Sequence, residues 1–186
     1  MIRRKLLAVG SDDSGKTELL HILSKEEFDP NMHIPSMFSN VVKDAKVDDC
    51  EFEISLWDIN VEPARLRPFE YPDTDIVLMC FSTKLRNTFE EIEDKWVSEV
   101  KYFCPNVPIM LVGNHTKRSE DEDNVDVSNI ETKVSADEGR ELAERIGAIG
   151  YLECCAKKNK GVEELFDAVS RAVLQRRAVK NRCIVQ

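Results

Sequence analysis

A single open α/β sheet of mostly parallel strands, with helices on both faces, is the fold class this sequence predicts. Three observations predict it. The apolar runs Lys5–Val9, Ile76–Phe81 and Ile109–Val112 have the length and composition of strands buried on both sides. Segments of helical periodicity alternate with them, the order that places helices against a parallel sheet. Between the first run and the first helical segment lies Gly10-Ser11-Asp12-Asp13-Ser14-Gly15-Lys16-Thr17, which fits G-x-x-x-x-G-K-[ST] in the strand–loop–helix context that binds phosphate. With 186 residues, 42% of them hydrophobic, the chain makes one domain of ordinary size with a substantial core.

Taken in order, Lys5–Val9 reads as a buried first strand and Glu18–Lys25 as a helix. Residues 28–40 break the pattern with Pro30 and Pro35 and read as an exposed loop. Val41–Val47 and Glu51–Trp57 read as a hairpin turning at Asp48-Asp49, the second strand alternating Phe52, Ile54 and Leu56 on one face. Residues 59–75 hold three prolines and read as irregular. The remaining assignments are a strand at Ile76–Phe81, a helix at Thr88–Phe103, a strand at Ile109–Val112 and a charged surface stretch at 117–126. A helix at Asp137–Ile146 ending near Gly147, a strand at Tyr151–Cys155 and an amphipathic helix at Val162–Arg177 complete the chain. Ligands belong at the carboxyl ends of such strands.

The loop carries the clearest chemistry. Glycines let backbone N–H groups approach a phosphate chain, and the helix that begins at Gly15 adds its positive end. Lys16 is placed to pair with terminal phosphates, Thr17 to ligate Mg²⁺, and Gly10, Asp12, Asp13, Ser14 and Gly15 complete the nucleotide-binding set. Asp12 and Asp13 act against this, because their carboxylates lie where phosphate oxygens approach. The expectation is weakened binding.

Composition narrows the function classes. Net charge is −9, but Arg171–Gln186 holds five basic residues and no acidic ones, which leaves −14 on Met1–Ser170. An acidic body with a basic tail argues against nucleic acid and for anionic lipid. The longest apolar run, Ile76–Phe81, is too short to span a bilayer, and the N-terminus lacks a signal segment, so synthesis in the cytosol is expected. In that reducing compartment Cys50, Cys80, Cys104, Cys154 and Cys155 read as buried thiols.

Several phrases then resemble one family end to end: Trp57-Asp58, Arg65-Leu66-Arg67-Pro68, Tyr71-Pro72-Asp73-Thr74-Asp75, Cys104-Pro105-Asn106-Val107-Pro108, Leu111-Val112-Gly113-Asn114 and the terminal Cys183-Ile184-Val185-Gln186. They are similar to Rho-type small GTPases of the Ras superfamily. The resemblance implies a P-loop NTPase fold with a six-stranded, mostly parallel sheet, a GTPase domain over 1–178 with a Rho-like insert at about 118–135, and a basic tail at 179–186. It implies bound GTP or GDP with Mg²⁺. Phe28 would pack on the guanine ring, Ser36 and Asp58 would join Thr17 at the metal, and Asn114, Lys117, Ala156 and Lys157 occupy the guanine-side positions. Effectors would dock at residues 34–40, and exchange factors or a prenyl-binding chaperone are further expected partners of a monomer acting in an actin-related process.

The departures are as informative. Where the family has Thr-Ala-Gly-Gln, this chain has Ile59-Asn60-Val61-Glu62 and is two residues shorter before Arg65. The residues that sense the γ-phosphate and orient water are missing, so no catalytic residue is assigned and hydrolysis should be very slow or absent. Where the family has Asn-Lys-x-Asp, this chain has Asn114-His115-Thr116-Lys117. Lysine only donates, so guanine selectivity should fall. Cys155 replaces a serine, and His115 reads as a solvated loop histidine.

Cys183-Ile184-Val185-Gln186 fits C-a-a-X with a farnesyl preference, and Arg171, Arg176, Arg177, Lys180 and Arg182 supply the second membrane signal. The expected location is the cytosolic face of a membrane, with a cytosolic pool. Two readings stand: a membrane-attached nucleotide switch with impaired hydrolysis, or an interaction scaffold that keeps the fold without switching.

Overall fold

The computed structural model describes residues 2–25, 40–59, 64–115 and 133–182, the stretch 176–182 by backbone alone. Its strands are β1 (Arg3–Val9), β2 (Val41–Val47), β3 (Cys50–Asp58), β4 (Ile76–Ser82), β5 (Ile109–Asn114) and β6 (Gly150–Cys154). They form one sheet of six in the order β2-β3-β1-β4-β5-β6. Only the β2–β3 pair is antiparallel. That pair is the hairpin expected at Asp48-Asp49, with Val47 opposite Cys50 and Asp48 taking the positive φ of 52° that its tight turn needs. β4 is buried at every position, as its unbroken apolar run requires of a central strand covered on both sides.

The helices are α1 (Lys16–Ser24), α2 (Arg86–Glu91), α3 (Val97–Phe103), α4 (Ala136–Ile146) and α5 (Val162–Arg182). Alternate residues of the central strands feed two cores. Leu6, Ala8, Leu78, Cys80 and Val112 pack with Leu20 and Leu23 of α1 and Leu165 and Val169 of α5. Leu7, Val9, Val77, Met79 and Phe81 pack with Trp96, Val100 of α3 and Leu142 of α4 on the other face. Each such aliphatic side chain contributes about 1.5–3 kcal/mol by leaving water.

Several boundaries differ from the sequence reading. The helix expected from Thr88 starts at Arg86 and is not uniform, since α2 and α3 are joined by a π-helical turn, Ile92–Trp96. Apolar spacing does not register one inserted residue. The stretch read as irregular contains a 3-10 helix, Ala64–Glu70, with Pro68 inside it. α5 continues to Arg182 instead of stopping at Arg177, so the division at 178/179 falls within a helix. No glycine or proline interrupts 178–182, and basic residues suit a helix C-terminus. Cys50 is exposed at the hairpin, contrary to the expectation of a buried thiol, while Cys80, Cys104, Cys154 and Cys155 are buried. Val134 and Ser135, at the end of the expected insert, lead into α4: Val134 N–H donates to the Thr83 carbonyl at 2.9 Å, and Ser135 is the N-cap of α4 and forms a capping box with Glu138. The expected loop at 28–39 and most of the expected insert lie outside the described residues.

Candidate functional site: a phosphate loop held by carboxylates

The loop after β1 is shaped by two glycines in conformations that other residues rarely adopt. Gly10 has φ 147°, and a Cβ there would lie 2.3 Å from the Cys80 carbonyl oxygen of β4, so the chain can cross the strand end only without a side chain. Gly15 takes φ 75° between the short turn Asp12–Ser14 and α1, which starts the helix with its amides at the loop. Cys80 beneath the loop is a neutral thiol, its pKa pushed up to about 12 by burial.

Lys16 is 4% exposed, with its Nζ 3.7 Å from Asp12 Oδ1 and 3.9 Å from Asp58 Oδ1. Asp58, at the end of β3, accepts a 2.5 Å hydrogen bond from Thr17 Oγ1 through Oδ2. Its Oδ1 and the Ser14 Oγ are buried without hydrogen bonds. Burial raises the Asp58 pKa, opposed by Lys16 and the Thr17 bond, and Asp12 raises it further. A buried carboxylate oxygen lacking a donor, beside a hydroxyl, is a donor set that fits a hard divalent cation. Thr17 and Asp58 are the residues that would hold Mg²⁺. Among the described residues no group of three or more His, Cys, Asp or Glu side chains gathers at one point, so a cation there would take its other ligands from phosphate oxygens and water. When bound, it would neutralise phosphate charge. Asp13 is exposed.

The opposite end of the cleft is stitched to the phosphate loop. Asn114 is fully buried, and its Nδ2 donates to the Gly15 carbonyl at 3.0 Å. Cys154 Sγ contacts Asn114 Oδ1 at 3.8 Å, and Cys155 Sγ reaches the His115 carbonyl at 3.6 Å. Ala156 is 1% exposed at the start of a 3-10 turn, whereas Lys157 is exposed. His115 lies just past the end of β5 with its side chain 37% exposed, as a loop histidine would, but it is tethered at both ring nitrogens. Its Nδ1 lies 2.7 Å from Thr83 Oγ1 and its Nε2 3.1 Å from Glu153 Oε2, and Glu153 Oε1 also accepts from the Tyr151 hydroxyl at 2.8 Å. Three strand ends meet in that chain of bonds, a convergence that no local sequence window contains.

Sequence reasoning missed two further residues. Glu18 is half-buried in the first turn of α1, and burial raises its pKa against the lowering influence of Lys157. Ser11 Oγ donates to Glu91 Oε2 of α2 at 2.7 Å, a contact across 80 positions. Phe28, Ser36, Lys117 and Cys183 lie outside the described residues, as do Asn60, Val61 and Glu62.

The structure therefore brings Gly10, Asp12, Ser14, Gly15, Lys16, Thr17, Asp58 and Asn114 into one cleft at the carboxyl ends of β1, β3 and β5. A model of the Ras family matches residues 5–175, nearly the whole of this sheet and its helices. The chain belongs to the Ras family and is a small GTPase of the kind that binds guanine nucleotide.

Proposed function

We propose that this protein is a Rho-type member of the family, attached to the cytosolic face of a membrane by a lipidated Cys183, that holds GTP or GDP with Mg²⁺ and hydrolyses GTP very slowly or not at all. One observation supports the binding half above others: Thr17 and Asp58 converge beneath Lys16 with a buried carboxylate oxygen still lacking a donor. The weak turnover rests on Asn60, Val61 and Glu62 standing where the family has its alanine, glycine and glutamine, and on Asp12 beside the terminal-phosphate position. Lys117 at the base-reading position reduces guanine selectivity. Ser36 completes the metal site, Phe28 covers the base, and effectors engage residues 34–40. The basic residues of 171–182 and the farnesyl group act together at anionic lipid, with a cytosolic pool in exchange.

The Lys16–Asp12 pair favours a second reading, an interaction scaffold whose lysine is satisfied by the protein's own carboxylate. Gentle purification with Mg²⁺, denaturation and anion-exchange chromatography of the released small molecules separates the two. Stoichiometric GTP or GDP supports the switch, whereas an empty supernatant refutes it in favour of the scaffold. For the lipid, a labelled farnesyl precursor should enter the wild type and not Cys183→Ser. Equal label in both refutes that attachment.

A further inference from the structure

We propose that the helical rod from Arg86 to Phe103 couples the phosphate loop to the segment 64–71, with the π-helical turn at Ile92–Trp96 as its two-position element. The phosphate-loop end of the connection is the hydrogen bond from Ser11 to Glu91, the last residue of α2 and the one immediately before the turn. At the other end, Glu99 of α3 accepts from Arg67 Nε at 2.9 Å, from Arg67 Nη2 at 2.9 Å and from the Tyr71 hydroxyl at 2.9 Å. This forked contact is mostly shielded, with side chains 13% and 16% exposed, so it transmits position better than an exposed ion pair. Arg67 also lies over the Trp96 ring, 5.6 Å from its centre.

The turn itself supplies the two positions. A π turn carries one residue more than the α-helix it interrupts, and such turns concentrate at functional sites. Returning it to α register would rotate everything beyond by about 100°, which turns Glu99 away from Arg67. Trp96 in the turn is fully buried, and its Nε1–H has no hydrogen-bond partner. A buried donor left unpaired raises the energy of the register observed. Glu93, also in the turn, holds Arg145 of α4 through bonds of 2.7 and 2.6 Å, so α4 contacts the rod at the turn itself, between the anchors at Glu91 and Glu99. Coupling between sites requires an element with two discrete arrangements that both sites bias, and this turn lies between the two anchors. The connection uses none of residues 60–63 and does not require bound nucleotide, so it stands or falls separately from the function proposed above.

Hydrogen exchange read by mass spectrometry on the full chain tests it, without added nucleotide. Ser11→Ala should raise exchange across 64–71 by at least about threefold, and Glu99→Gln should raise it across 10–17 by a similar factor, while the β2–β3 hairpin stays unchanged. Deleting the exposed Asp94 removes the extra residue of the turn and should abolish both responses. If each single substitution acts only on its own side, or if exchange rises everywhere including the hairpin, the rod is a passive support and the proposal is overturned.

Discussion

Replacing Asp12 with asparagine should tighten nucleotide binding, because Asp12 holds the lysine that a phosphate needs and repels the phosphate itself. The Lys16 Nζ to Asp12 Oδ1 separation is 3.7 Å, and the aspartate side chain is 78% exposed. At that distance the Coulomb energy is about 1 kcal/mol in water and about 4.5 kcal/mol at an effective dielectric of about 20. The exposure of Asp12 places the pair at the low end, where exposed ion pairs contribute about 0–1 kcal/mol. Relief of repulsion toward a phosphate at a similar distance adds about 1 kcal/mol more. Together the two effects give about 1–2 kcal/mol, or about a 5- to 30-fold lower Kd for GDP with Mg²⁺. Titration with a fluorescent methylanthraniloyl-GDP reads this directly, and the advantage of Asp12→Asn should shrink as salt screens the exposed charge. Asparagine keeps the volume, so a steric obstruction would persist. The unliganded variant should lose up to about 1 kcal/mol, a fall in Tm of about 2–4 °C. A change in Kd below about threefold, or one insensitive to salt, would refute the electrostatic account.

Three other outcomes follow from the same geometry and sequence. Lys117→Asp should raise affinity for GDP over ADP by at least about tenfold in competition titrations, since a carboxylate accepts from guanine donors that lysine cannot satisfy; an unchanged ratio would show that Lys117 does not face the base. Gly139→Ala places a Cβ 2.2 Å from Cζ of Tyr151, whose ring stacks on Phe81 and whose hydroxyl is held by Glu153. Overpacking there should cost about 1–3 kcal/mol and lower Tm by about 2–12 °C in a thermal scan. Glu99 is partly buried, which alone would raise its pKa, but the bonds from Arg67 and Tyr71 and the Arg67 charge together hold it below the ordinary value. A carboxylate with a depressed folded-state pKa contributes stability above its unfolded pKa of about 4.3 and loses it as pH falls through the folded value, so Glu99→Gln should flatten the acid limb of urea-unfolding stability between about pH 5 and 3. Parallel acid limbs in the two proteins would count against it.

The strands and the phosphate loop were legible because their signals are local. Ile76–Phe81 needs no partner to read as a covered strand, and Gly10 to Thr17 declares its turn, its helix and its ligand class within eight positions. The hairpin was legible for the same reason, its alternation and Asp48-Asp49 turn lying within one window. What was not legible is non-local. The Ser11–Glu91 bond joins positions 80 apart, and the His115 chain draws on β4, β5 and β6 together. A reading of His115 from its neighbours gives its loop position and its exposure but not its tether, because the acceptor that fixes it, Glu153, comes from another strand. The π turn escaped for a different reason: a single inserted residue barely disturbs hydrophobic spacing over a helix of this length.

The retained motif residues carry work in the fold as well as work on a ligand, and this bears on how far their retention argues for function. Gly10 is required by the 2.3 Å approach to the Cys80 carbonyl whether or not phosphate ever binds. Asn114 is buried and ties the Gly15 carbonyl, which also accepts from the Leu19 N–H of α1, to β5, and replacing it would remove a buried hydrogen bond between the loop and the strand end. Lys16, almost wholly buried, neutralises an Asp58 carboxylate that is 3% exposed, and removing one partner of such a pair is costly to folding itself. A scaffold that had given up nucleotide would therefore keep these three residues for stability alone. Thr17 and Ser14 are better witnesses. The Ser14 hydroxyl is buried with no hydrogen bond, and the Thr17 hydroxyl makes one only to an aspartate that Lys16 already balances. For Ser14 in particular, a buried hydroxyl without a partner is a cost that folding alone has no reason to maintain. The unpartnered Ser14 hydroxyl and the unpaired Asp58 oxygen beside Thr17 are polar atoms that a bound phosphate and cation would satisfy, which weighs against the scaffold.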